Sequence, residues 1–248
     1  DLRKISKMVP KNRQTLLFSA TFSDPIRALS NQMLREPVRI EATPRNTTVA
    51  AIRQWVIPVD KKRKAELFVH LLERRDWTQV LAFARTRKGV DELVGLLESK
   101  GIPVDSIHGD KPQPARLRAL DRFKAGEVRV LIATDVAARG IDIDDLPAVI
   151  NVDLPIVAED YVHRTGRTGR KGASGEAVSL VCADEVEQLA AIEVLTRQTL
   201  ERVEEPGYAP EHRVPQTDAK GQIVKKPKKP KKPKGNAPVV SEDVRFRR

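Results

Sequence analysis

Val128-Arg129-Val130-Leu131-Ile132-Ala133 runs directly into Thr134-Asp135-Val136-Ala137-Ala138-Arg139-Gly140-Ile141-Asp142-Ile143. The first six residues are aliphatic at every position but one, without polar alternation, which is the pattern of a strand buried on both faces. Val80-Leu81-Ala82-Phe83 has the same character. Working outward, strands are expected at 52–59, 79–83, 103–107, 128–133, 148–152 and 176–182, alternating with helices at 61–74, 88–99, 115–124, 158–163 and 184–200. This alternation predicts an α/β fold, a mainly parallel sheet with helices on both faces. Ligands of such sheets sit beyond the strand carboxyl ends, where the residues of interest here are expected.

Ahead of this unit, residues 1–12 read as a polar helix and turn, and Gln14-Thr15-Leu16-Leu17-Phe18 as a short buried strand ending in Ser19-Ala20-Thr21. Ser23-Asp24-Pro25 then starts a helix carrying Ile26, Leu29, Met33 and Leu34 at helical spacing, and a strand follows at 38–41. Residues 43–50 lack apolar periodicity and read as a linker. The expected organisation is a first segment over 1–42, the linker, a domain over 51–206 and an extension over 207–248.

The extension differs in composition, with twelve Lys/Arg against four Asp/Glu, so it holds +8 of the formal +11. Its Lys-Lys-Pro repeat from Lys225 to Lys234 has no apolar face, and proline blocks helix, so an extended disordered segment is expected. Such a segment suits phosphate binding in a salt-dependent way, or serves only to solubilise. Apolar residues make up 40% of the chain, as in a globular protein, and no run approaches the roughly 20 needed to span a bilayer. With no signal-peptide pattern at Asp1-Leu2-Arg3-Lys4, a cytoplasmic location and no membrane partner are expected. Cys182 is alone, which excludes an internal disulfide, and no metal site is expected.

Three strand-to-helix junctions and one stretch at a helix end carry candidate chemistry. Thr86 can cap the helix after the 79–83 strand while Arg87 adds charge for an anion, although an ordinary cap with a solvated arginine fits equally well. His108-Gly109-Asp110 permits close approach of a sugar-phosphate chain, with Gln113 and Arg116 opening the next helix, or is simply a tight turn. Thr134 offers a hydroxyl to a phosphate and Asp142 a carboxylate to ribose hydroxyls, while a turn cap and an Arg139–Asp135 pair are the structural alternatives. Last, Tyr161-Val162-His163-Arg164-Thr165-Gly166-Arg167-Thr168-Gly169-Arg170 sets three arginines and a histidine within eight residues. Guanidinium groups match phosphate oxygens in pairs, so this composition suits polyphosphate.

The spacing H-R-x-G-R-x-G-R resembles motif VI of the DEAD-box RNA helicases, and A-T-D-x-A-x-R-G-I-D resembles their motif V. The Ser-Ala-Thr, Arg87, HGD and Q-x-x-R elements follow the family order, so the resemblance covers about residues 14–200, with the bacterial RhlE-like branch the closest comparison made. The resemblance implies a RecA-like second helicase domain, preceded over 1–42 by the end of a first one. It also implies ATP with Mg2+ as ligand, the metal held mainly by the first domain, whose P-loop and D-E-A-D sequences do not occur here. By the same resemblance Arg167 and Arg170 are arginine fingers, and Gly140 and Asp142 join them in nucleotide binding. Arg87, Gly109, Gln113, Arg116 and Thr134 grip RNA backbone, while Ser19, Thr21, Arg139, His163 and Arg164 couple the domains. The expected activity is ATP-dependent RNA unwinding or remodelling together with the first RecA-like domain, on single-stranded or short duplex RNA of low sequence specificity, and the chain alone is expected to be inactive. The alternative is a non-enzymatic RNA-binding or annealing module driven by the basic extension.

Overall fold

The computed structural model describes residues 2–10, 12–19, 24–40, 52–143, 145–169 and 175–224. The linker, Thr21, Arg170 and the lysine-proline repeat lie outside the described residues. Helices α1 (Leu2–Met8) and α2 (Asp24–Met33) come first. The α/β unit follows as β1 (Ile52–Pro58), a 3-10 turn (Lys61–Arg63), α3 (Lys64–Arg74), β2 (Val80–Phe83), α4 (Arg87–Ser99), β3 (Val104–Ile107) and α5 (Gln113–Lys124). It continues with β4 (Val130–Ala133), α6 (Asp135–Ala138), β5 (Ala148–Asn151), α7 (Ala158–Thr165), β6 (Gly175–Val181), α8 (Val186–Thr196) and β7 (Glu201–Arg202). A hairpin of β8 (Gln216–Thr217) and β9 (Ile223–Val224) ends the described chain.

The main sheet has seven strands in the order β3-β4-β2-β5-β6-β1-β7, and every neighbouring pair is parallel. Parallel strands need helical crossovers, which cover both faces and explain why β2, β4 and β5 are buried at every position. On one face Leu67, Leu71 and Leu72 of α3 and Leu93 and Leu97 of α4 pack against Val80, Ala82, Val130 and Ile150. On the other, Ala119 and Phe123 of α5 meet Leu81 and Leu131, while Tyr161 of α7 and Leu189 and Ile192 of α8 meet Val56 and Val181. Local chemistry sets the helix ends. Thr86 caps α4 by accepting from Gly89 N at 3.0 Å, and Arg129 donates to Leu72 O at 2.7 Å and Arg75 O at 3.0 Å, a cation at the carbonyl end of α3.

Three expectations are corrected. Residues 14–18 and 38–40 form no strand, and Phe18, Val38 and Ile40 are almost fully exposed. A strand needs a neighbour for its backbone N–H and C=O groups, and among the described residues none pairs with these. The helix expected over 184–200 is shorter, because Arg197 adopts a left-handed conformation at φ +55 that ends α8, and its N–H bonds to Val194 O at 3.3 Å. The extension placed at 207 is structured as far as 224, with Tyr208, Val214 and Thr217 buried. Arg202 holds it by donating to Val214 O at 3.0 Å, Pro215 O at 2.7 Å and Thr217 Oγ1 at 3.0 Å.

Candidate functional site

The candidate residues divide into two groups. The first gathers beyond the carboxyl ends of β3, β4 and β2, which are adjacent in the sheet. Arg87 opens α4 and pairs with Asp110, Gly109 is exposed in the turn after β3, and Gln113 is the exposed first residue of α5. Arg116, one turn on, donates to Ala137 O at 3.1 Å, while its buried Nε has no hydrogen-bond partner among the described residues. Thr134 follows β4, 8% exposed, and its carbonyl accepts from Ala137 N and Ala138 N. Cationic side chains, a glycine without side-chain bulk and a strand-end hydroxyl thus share one rim, with the chemistry of a phosphodiester backbone site.

The second group departs from the expectation that all motif residues lie at carboxyl ends. After Arg139 the chain must return to the amino edge of the sheet before parallel strand β5 begins, and Ile141, Ile143 and Leu146 pack on the face beside α5 along that return. Asp142 therefore sits by Lys124, the last residue of α5, with Lys124 Nζ 3.2 Å from its carboxylate, which is 92% exposed. It lines an open polar cleft of about 310 Å³ with Gln79, Lys124 and Asp145. Helix α7 makes the same return, and the residues after it lock to this segment. Leu146 N donates to Arg167 O at 3.1 Å, Arg167 Nη1 donates to Ile141 O at 2.9 Å and Thr168 Oγ1 bonds Leu146 O. Gly140, at φ +75, makes the turn at the head of this return. Gly140, Asp142 and Arg167 are thus brought together, while Arg170 lies outside the described residues.

The coupling residues behave differently from one another. Ser19 is exposed, and Thr21 lies outside the described residues. Arg139 is 65% exposed and donates from Nη2 to both oxygens of Asp160, at 2.9 and 3.2 Å; this hydrogen bond holds its guanidinium above the usual range. His163 Nδ1 is 3.6 Å from the same carboxylate. Arg164, also expected to couple the domains, turns inward within this chain. Its side chain is 2% exposed, and Nε and Nη2 bind Asp135 at 2.6 and 2.7 Å, while Nη1 donates to Asn151 Oδ1 at 2.8 Å and Asp153 O at 2.7 Å. A buried guanidinium is tolerable only with its donors satisfied, so this fork binds the 134–139 segment to α7 from inside. Asp135 therefore pairs with Arg164, and Asp160 takes Arg139.

Asn151, Asp153, Asp160, Lys64, Arg85 and Glu185 escaped the sequence reading. Charged residues between apolar ones, as in Val152-Asp153-Leu154, were the available signal. For Asp153, burial acts upward, but the charge of Lys64, the backbone N–H of Arg85 and the charge of Arg85 hold its carboxyl below the usual range. Among the described residues, the one close group of three ligand-type side chains, Asp60, Glu211 and His212, lies past the carboxyl end of β1 and not beside Asp142. No helix of the described residues is long and apolar enough to cross a membrane.

Residues 63–172 match the model of the helicase conserved C-terminal domain. Over 206 residues the chain is 42% identical to the DEAD-box ATP-dependent RNA helicase CshA of Geobacillus kaustophilus, covering 83% of this chain and 44% of that protein. It is 40% identical to CshA of Bacillus subtilis over 83% of this chain and 42% of that one, so it spans under half the length of these curated relatives. These names do not single out the RhlE-like branch. Among solved structures, E. coli DEAD-box protein SrmB bound to regulator of ribonuclease activity A is 37% identical with a TM-score of 0.60, covering 66% of this chain and 97% of that one. S. cerevisiae Dbp5 bound to RNA and ADP BeF3 is 33% identical with a TM-score of 0.74, covering 81% and 54%. The fold is RecA-like, as in those proteins.

Proposed function

This chain belongs to the DEAD-box family of RNA helicases, as a helicase C-terminal domain, and on that premise we propose that it is the second half of a cytoplasmic, RNA-dependent ATPase that remodels RNA together with a first RecA-like domain. The observation that carries this reading is the placement of two chemistries on one rigid domain. Arg87, Gly109, Gln113, Arg116 and Thr134 ring the exits of three adjacent strands, while Gly140, Asp142 and Arg167 share the helix-covered face. Dbp5, similar over 81% of this chain, has been solved with both RNA and a nucleotide, which supports assigning one ligand to each group.

The exposed carboxylate of Asp142, in a polar cleft, fits the hydroxyls of a ribose. Arg167, anchored on Ile141 O, brings its guanidinium to the same segment, where it stabilises charge on a transferring phosphoryl group; Arg170 is proposed to act with it. The bound metal's task is to neutralise phosphate charge. The ligand-type cluster at Asp60 is remote from Asp142, which supports assigning the metal mainly to the first domain. Arg139, His163 and their shared Asp160 present a charged rim suited to meeting that domain, and Ser19 and Thr21 would link the two from the chain side. RNA is held by backbone contacts, so sequence selectivity is low.

Arg167→Ala in the full-length enzyme tests the reading. ATP turnover is expected to fall by about a thousandfold or more, with most RNA affinity retained. Wild-type turnover in this variant overturns it, and leaves the non-enzymatic RNA-binding module driven by the basic extension as the competing account.

A further inference from the structure

A buried ionic cluster lies beyond the carboxyl ends of β1, β2, β5 and β6. Glu185 and Lys64 have side chains only 4% and 5% exposed, 2.5 Å apart. Glu185 Oε1 accepts from Arg85 Nη2 at 2.9 Å and Leu154 N at 3.1 Å, and Oε2 also accepts from Cys182 N at 3.1 Å. Lys64 Nζ donates to Val152 O at 2.8 Å as well, and Arg85 N donates to Asp153 Oδ2 at 3.0 Å. One carboxylate therefore fastens the start of α3 and the exits of β2, β5 and β6. Desolvating such ions offsets much of what their attraction returns, and apolar residues would hold the fold as well. What the ions add is fixed direction.

Two arms leave the cluster. On one, Arg85 is followed by Thr86, the cap of α4, and by Arg87 of the RNA group. On the other, Asn151 and Asp153 receive the Arg164 guanidinium at 2.8 and 2.7 Å, three residues ahead of Arg167. We propose that Glu185 is a positioning residue that holds the RNA-facing turn at residues 85–87 and the phosphate-facing end of α7 in one fixed relation, and so carries coupling between RNA and nucleotide. This inference rests on the functional reading above. Glu185 touches neither ligand and acts through Arg85, Lys64 and the backbone of Leu154 and Cys182.

The test uses the full-length enzyme and a fluorescent single-stranded oligouridylate, with RNA affinity measured with and without magnesium and a non-hydrolysable ATP analogue. The ratio of the two affinities is the coupling. Glu185→Gln is expected to reduce that ratio at least about fivefold while nucleotide-free RNA affinity stays within about twofold. Arg85→Gln, which cuts one arm and leaves the Lys64–Glu185 pair intact, is expected to do the same and keeps the test open if the first variant folds poorly. An unchanged ratio in a folded Arg85→Gln protein overturns the inference alone. A wild-type ratio of one overturns the functional reading and the inference with it. Hydrogen exchange in the 248-residue chain gives a readout independent of ATP. Arg85→Gln is expected to quicken exchange at Gly89 N, bonded to Thr86, and at Arg167 N, bonded to Arg164, together; quickening at Gly89 alone counts against the coupling.

Discussion

Arg139 and Arg164 carry the same charge and both meet carboxylates, yet burial gives them different work. Arg139 is largely in water, and its pairing with Asp160 can exchange for another partner at little cost. Arg164 is enclosed, lies 4.7 Å above the Phe83 ring and has four oxygen acceptors for its planar fork, an arrangement a lysine cannot reproduce. Close packing extends to the backbone after α7. A Cβ added to Gly175 would collide with Thr168 Oγ1 and fall 2.6 Å from Gly169 N, so the segment that carries Arg167 would have to move. Gly175→Ala is therefore expected to destabilise the chain by about 1–3 kcal/mol in urea unfolding. The contrast is Gly95→Ala, inside α4 with nothing within 4 Å of the new methyl, which is expected to stabilise by about 0.5–1 kcal/mol through helix propensity. Equal effects at the two positions would mean that the 167–169 segment yields freely.

At the scale of elements, the strap from Val203 to Val224 shows how a segment can be ordered without a periodic pattern. Asp60 accepts from Glu211 N at 2.8 Å and His212 N at 3.2 Å, Arg63 donates to Gly207 O at 2.7 Å, and Arg63 and His70 flank the Tyr208 ring. The backbone N–H of Glu211, then that of His212, holds the Asp60 carboxyl below its ordinary 3.8. A carboxylate with a lowered folded value stabilises the fold above its unfolded value, and that contribution is lost as pH falls through the folded one. Acidification below about pH 4 is thus expected to loosen residues 207–214, seen as faster amide exchange there than in β1. Asp60→Ala should show the loosening at neutral pH and remove its acid dependence; a strap unaffected by the substitution would place its anchor at Arg63, Arg202 and Tyr208. None of these tethers was legible in the sequence, since side-chain bonds to a distant backbone leave no period. The strands were legible because double-sided burial writes continuous apolar runs such as 130–133. The site was legible as residue types, but the amino-edge position of Asp142 and the inward turn of Arg164 follow from how the chain returns between parallel strands.

Across the whole molecule, charge is unevenly placed along the chain. Residues 225–248 contain ten Lys/Arg and two Asp/Glu, so they carry +8 of the formal +11, and residues 207–224 are neutral overall. The structured strap therefore adds packing and no net charge, and delivers the basic segment from β9, which packs with α8 on the sheet face shared with α7. Phosphate binding by such a segment releases counterions, giving a slope of log affinity against log salt of about −0.7 for each single-strand phosphate neutralised. Deleting residues 225–248 while keeping the strap is expected to flatten that slope by about three to five units, measured by titrating single-stranded RNA and matching DNA at several salt concentrations. Counterion release does not distinguish the sugar, so loss of the basic segment should weaken both polymers alike. Any remaining preference for RNA then belongs to the rim of Arg87, Gln113, Arg116 and Thr134. A slope unchanged by the deletion would assign the electrostatic grip to residues 1–224, which carry only +3.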